Sequence, residues 1–208
     1  MTRPSVGLVL SGGGARGAYE AGVLLWIATH EPALLDATRV ITGSSVGAIN
    51  GVFLASRGLT VESVHELVQT WRRLTLSDVV HFSPKDALRM FHAGIRYVLG
   101  RQGRRPSGLF ASGVVERLIK TEIDWRALPE RVERGRFDGV AVAATELVSG
   151  KTHLFVHHGP TLDRPRWPHD RSLRAIEGHL RPEHVMASSA IPFVFSPVCV
   201  GEHWYLSL

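Results

Sequence analysis

Cys199 is the only cysteine in 208 residues. No internal disulfide is open to the chain, and no CxxC or HExxH spacing offers a conventional metal site. A reducing compartment is compatible with that usage. Long apolar runs are missing as well, and nothing approaches the roughly 18 residues that a membrane-spanning helix requires. The apolar stretch Val6 to Leu10 is too short for the core of a signal peptide and runs at once into glycines. General basicity is also absent, although 24 Lys and Arg stand against 19 Asp and Glu for a net charge of +5. The excess is local: Lys85, Arg89, Arg96, Arg101, Arg104 and Arg105 face Asp86 alone within residues 85–105, and the remainder balances. That segment is either a solvated face or a contact for an anionic lipid surface. The expectation is a cytoplasmic protein, peripheral at a membrane, with no nucleic-acid partner, no cofactor and no metal.

What is present suffices for a full core. A hydrophobic fraction of 44% over this length predicts a single domain, residues 1–208. Val6 to Leu10 reads as a strand buried on both faces, and Ala15 to Ala28, apolar nearly all round, as a buried helix. Arg39 to Thr42 reads as a second strand. Val46 to Ser56 reads as a helix whose Gly47, Ala48, Gly51 and Ala55 allow close approach to a sheet. This strand–helix–strand–helix order predicts an α/β fold with a parallel sheet. Thr60 to Leu74 has Val64, Leu67, Val68 and Trp71 on one helical face. Residues 83–100 form another helical pattern, either a cap that meets lipid or an ordinary core-facing helix. A helix over Ser112 to Ile123, strands at Val140 to Ala144 and His153 to Val156 around a Ser149-Gly150-Lys151 turn, and a short helix at Pro182 to Ser189 follow. Val198 to Val200 and Trp204 to Leu206 predict a hairpin around Gly201-Glu202.

Two glycine-framed turns carry the chemistry. In the first, Ser11-Gly12-Gly13-Gly14-Ala15-Arg16-Gly17, the residues Gly12, Gly14 and Gly17 satisfy GxGxxG between a strand and a helix. A dinucleotide loop would need an acidic residue at the end of the second strand, and that strand runs into Gly43-Ser44-Ser45 instead. The same backbone can cradle a different anion. Glycines admit close approach, and a helix start favours negative charge, so the loop could neutralise the oxyanion of acyl transfer. The second turn, Gly43-Ser44-Ser45-Val46-Gly47, is the GxSxG nucleophile-elbow pattern, with Ser45 flanked by glycine at the required spacing on each side.

With these blocks in view, and with Met186-Ala187-Ser188-Ser189-Ala190-Ile191-Pro192-Phe193-Val194-Phe195-Ser196-Pro197 as a third, the chain resembles the patatin-like phospholipase family. The resemblance implies a three-layer α/β/α sandwich with a mainly parallel central sheet. It further implies a Ser-Asp dyad that hydrolyses lipid acyl esters without a histidine. Ser45 falls on the nucleophile. Gly12, Gly13, Gly14 and Arg16 fall on the oxyanion-hole motif, and Gly43 and Gly47 frame the elbow. The family's Asp belongs to an Asp-Gly-Gly or Asp-Gly-Ala turn after the third block. Here Trp204-Tyr205-Leu206 is followed by Ser207 and Leu208, so the domain is expected to be incomplete at its C-terminus.

That departure leaves an active hydrolase, or part of one, beside a catalytically inactive product that keeps the fold and lipid binding. A nucleotide-binding module is a third alternative. Asp138-Gly139 lies on the wrong side of the third block to supply the carboxylate and reads as a strand-entry turn. His153 and His157 share a strand face while His158 points away; a metal or Ser-His arrangement there lacks an acidic partner at sensible spacing. Phe193 and Phe195, with Pro192 and Pro197, line an acyl pocket or simply fill the core.

Overall fold

The computed structural model describes residues 5–74, 113–160, 170–192 and 194–207. The helix expected over 83–100 and the basic segment 85–105 lie outside these residues. Among the described residues, seven strands form one mixed sheet. They are β1 (Val6–Leu10), β2 (Thr38–Ser44), β3 (Gly139–Glu146), β4 (Thr152–His158), β5 (Leu173–Glu177), β6 (Val198–Val200) and β7 (His203–Leu206). The main path runs β1-β2-β3-β4-β5, with β7 pairing to β3 and β6 to β7. Pairing is parallel from β1 to β3 and again between β4 and β5. It is antiparallel between β3 and β4, β3 and β7, and β6 and β7. The helices are α1 (Gly17–His30), α2 (Pro32–Asp36), α3 (Val46–Arg57), α4 (Val61–Arg73), α5 (Gly113–Glu122), α6 (Ala127–Glu133) and α7 (Pro182–Ser189).

The class is therefore the expected α/β one, a sheet of mainly parallel strands flanked by helices. The β3–β4 turn explains one departure from a parallel order. The Glu146 carboxylate accepts the backbone N–H groups of Val148 (3.1 Å) and Ser149 (2.6 Å), and Gly150 takes a positive φ of 67°. A strand that turns this tightly can only return antiparallel. The Ser149 hydroxyl and backbone N–H also pull the Glu146 pKa down to about 2, so the carboxylate stays charged as the turn requires.

Helix α3 is the central element, with residues 46–56 all buried. A Cβ on Gly51 would lie 3.0 Å from the Ile41 side chain, so α3 rests on the Leu10–Ile41 face of the sheet. Helix α7 covers the same face further along, where the His184 ring stacks on Phe155 at 4.3 Å. Helix α4 is begun by Thr60, whose hydroxyl accepts the Ser63 N–H at 3.2 Å, and it buries Ser63, Val64 and Leu67.

Helix α1 differs from expectation. It is not buried all round. Gly17, Ala21, Leu24 and Ala28 form the buried stripe, while Tyr19, Val23 and Trp26 are exposed on the other side. The cause is one-sided packing: α1 meets α4 and α3, and no described element covers its outer face. Its apolar composition therefore overstates its burial.

Candidate active site

The site forms where β1 and β2 end side by side and α3 begins. Ser45 links β2 to α3 with φ 53° and ψ −124°, and it is the one non-glycine among the described residues with positive φ. An L-residue holds that conformation only when its surroundings over-determine it. Both flanking glycines explain how. A Cβ on Gly43 would sit 2.4 Å from the Gly47 carbonyl oxygen, and a Cβ on Gly47 would sit 2.4 Å from the Leu10 carbonyl oxygen. Strand, elbow and helix thus touch backbone to backbone, and any side chain at 43 or 47 would force them apart.

Two serines of α7 complete the clamp. Ser188 Oγ donates to the Ala143 carbonyl at 2.6 Å and accepts the Ser45 N–H at 2.8 Å. Ser189 Oγ donates to the Ser45 carbonyl at 3.3 Å. Ser45 itself is 6% exposed. Its backbone groups are saturated while its hydroxyl is left for other work. Among the described residues, no carboxylate or imidazole hydrogen-bonds that hydroxyl. The Ser188–Ser189 pair sits in the third sequence block, but its role depends on a contact 143 residues away in sequence.

The first glycine turn lies directly against the elbow. A Cβ on Gly12 would lie 3.2 Å from Ser45 Cβ, so only glycine leaves this gap open. Gly13 is covered by the Arg16 side chain, whose Cβ would be 3.1 Å from a Cβ placed there. Gly14 has φ 56° with nothing near it. Residues 11–16 are all exposed, and among them the amides of Gly12 and Gly13 donate to no described group. The loop is tethered at one end. Glu20, on the first turn of α1, accepts the Ser11 N–H at 2.9 Å and is held in turn by the Asn50 amide at 3.1 Å. Asn50 also donates to the Gly17 carbonyl and accepts from the Trp71 indole N–H at 2.9 Å. Glu20, Asn50 and Trp71 escape sequence reasoning because they lie on three different helices. Glu20, four residues past Arg16, was the available signal.

The other tempting residues fall elsewhere. Asp138 precedes β3 and is paired to Arg39 at 2.7 Å. Its neighbour Gly139 pairs with Val40, while Ala143 pairs with Ser44, so Asp138 lies at the far end of the strand from Ser45. His153 shares a hydrogen bond with the Tyr205 hydroxyl at 2.9 Å. His184 is a buried, neutral ring. Burial pushes its pKa down to about 4, and its Nδ1 accepts the Arg181 N–H. His158 points to the other face and meets Glu177 at 3.4 Å. Phe195 is buried beside Ala190, consistent with packing, whereas Phe193 lies outside the described residues. A surface cavity of about 410 Å³ lined by Phe53, Arg57, Glu66 and Glu122 lies at the other end of α3 and includes none of the site residues.

A strained serine lies between a close-packed strand and helix, beside an open glycine turn. The chain belongs to the patatin-like phospholipase family, whose profile matches residues 8–206. No curated protein matches it. Among solved structures, VipD from Legionella pneumophila is similar at 15% identity and a TM-score of 0.45, over 99% of this chain and 46% of that one. ExoU from the type III secretion system of Pseudomonas aeruginosa, in complex with SpcU, is similar at 22% identity and a TM-score of 0.44, over 77% of this chain and 36% of that one. The chain spans less than half the length of these neighbours. Among the described residues no helix is long and apolar enough to cross a membrane.

Proposed function

We propose that this chain carries the nucleophile and oxyanion cradle of a lipid acyl hydrolase of the phospholipase A or esterase type. The observation that supports it best is the positive φ of Ser45, held by Gly43, Gly47 and Ser188 with Gly12 alongside. In this reading Ser45 Oγ forms a bond to the acyl carbon of a lipid ester and gives up its proton. The carbonyl oxygen becomes negative beside the amides of Gly12, Gly13 and Gly14, and the Arg16 guanidinium adds positive charge nearby. The C–O bond to the leaving alcohol then breaks, the alcohol takes a proton, and water releases the fatty acid from the acyl-serine. The acyl ester is the substrate partner, and residues 85–105 supply peripheral contact with an anionic membrane surface.

The proton acceptor is the dyad Asp that the resemblance implies after the third block, where this sequence has Ser207 or nothing. Strand β7 runs antiparallel to β3 and pairs Leu206 with Thr145, two residues from Ala143, whose carbonyl accepts the Ser188 hydroxyl. Ser207 is buried, and its N–H donates to the Ala190 carbonyl at 2.8 Å. A serine hydroxyl without a base is a poor nucleophile at neutral pH. Losing the carboxylate of a hydrolytic triad lowers turnover about 10⁴-fold. A second reading is a catalytically inactive patatin-like chain that keeps the fold and lipid binding.

A fluorophosphonate probe separates the two. Labelling of folded protein that Ser45→Ala abolishes supports the hydrolase. Folded protein that takes up no label supports the inactive form. Ser207→Asp should raise p-nitrophenyl ester hydrolysis by at least about a hundredfold; an unchanged rate counts against a base at this position.

A further inference from the structure

At the end of the sheet remote from Ser45, three metal-ligating side chains converge. His157 lies on β4 opposite Val140 near the start of β3. Glu133 ends α6, and His179 follows β5. One ligand atom from each lies within 4.8 Å of the other two. The His157 and His179 rings are 4.6 Å apart, and His179 Nε2 is 3.9 Å from a Glu133 carboxylate oxygen.

His157 sets this group apart from a chance surface cluster. The residue is 5% exposed, and its Nδ1 is buried without a hydrogen-bond partner among the described residues. An orphaned buried polar atom costs about 1–3 kcal/mol and calls for a partner. A neutral imidazole keeps one nitrogen lone pair that a metal can take. The position of His157 is fixed by the backbone. A Cβ on Gly159 would lie 2.7 Å from the Val132 carbonyl and 2.9 Å from that of Phe137. The Gly159 N–H also donates to the Asp138 carbonyl at 2.9 Å. The end of β4 is thereby drawn against the last turn of α6, beside Glu133.

We propose that Glu133, His157 and His179 bind one divalent transition-metal ion of the zinc type. Two imidazole nitrogens and one carboxylate oxygen form a donor set that suits Zn²⁺ and gives Mg²⁺ or Ca²⁺ too few oxygens. Ligand atoms around a tetrahedral zinc lie about 3.3 Å apart, so the group must close by about 1.5 Å. His157 can stay fixed while Glu133 and His179, whose side chains are 60% and 62% exposed, swing inward. Water completes the shell. The ion would tie α6, β4 and the β5–α7 connection together. Its place at the opposite end of β3 from Ala143 makes it structural and leaves the Ser45 chemistry alone.

The test is calorimetric titration of the folded full chain with Zn²⁺, paired with thermal unfolding, for wild type and for His179→Ala and Glu133→Gln. Both substitutions are at exposed side chains and spare the buried ring. The expected result is one Zn²⁺ per chain with a raised Tm, and affinity weakened at least about tenfold in each variant. Co²⁺ bound in place of Zn²⁺ should give visible ligand-field bands that His179→Ala removes. Three results would overturn the proposal: no Zn²⁺ uptake, uptake unchanged in His179→Ala, or an equal Tm response to Mg²⁺. The second would assign binding to other histidines.

Discussion

The two glycine turns are adjacent in space yet are held by opposite means. Around Ser45, Gly43 and Gly47 leave less room than a methyl group needs, and buried serines saturate the backbone. Around Gly12 to Gly14 the backbone is exposed, and the loop is fastened by the carboxylate of Glu20 and by the Arg16 N–H donating to the Gly13 carbonyl. The serine turn is fixed by lack of space, whereas the glycine loop is fixed by a tether, a contrast that suits the proposed roles. A nucleophile must not drift, because a small misplacement of reacting atoms is costly to rate. A cradle must admit a carbonyl oxygen from outside and so must stay accessible.

Substitutions can break or sharpen that contrast. Gly47→Ala should be the most damaging, since its methyl would meet the Leu10 backbone, which cannot swing aside. We expect a loss of about 3 kcal/mol or more, seen as a Tm lower by about 10 °C, with labelling lost as well. Ser188→Ala comes next. It leaves the buried Ser45 N–H unpaired, for about 1–3 kcal/mol in denaturant unfolding. Glu20→Ala should act on the other turn in the other manner. The freed Ser11 N–H is exposed and water can satisfy it, but one N–H of the buried Asn50 amide loses its acceptor, so we expect a loss of about 1–2 kcal/mol while fluorophosphonate labelling slows about tenfold. Gly14→Ala should be the mildest, about 1 kcal/mol from its positive φ alone, because nothing crowds the site. If Gly14→Ala proved as harmful as Gly47→Ala, the division between confinement and tether would fail.

Much of the fold is legible in the sequence. Both turns announce themselves because the steric rule they obey is local: a glycine two residues either side of Ser45, and three in a row before α1. The β3–β4 hairpin was legible from Ser149-Gly150, and α4 from the spacing of Val64, Leu67 and Trp71. Strand β5 was not, because Leu173-Arg174-Ala175-Ile176-Glu177 is a half-exposed edge with no clear alternation. The short α2 and α6 carry too few periodic residues to stand out. Helix α1 misled because Trp26 and Tyr19 look like core residues and lie in water. The supports of the site, Glu20 and Ser188, were silent because their partners are brought near only by the completed fold.

The contact between Gly47 and Leu10 has a further consequence for how the molecule is assayed. The elbow rests against the first strand, so the proposed reactivity of Ser45 belongs to the chain with that strand in place. On that proposal, covalent capture at the hydroxyl during renaturation should rise together with the docking of the N-terminal strand.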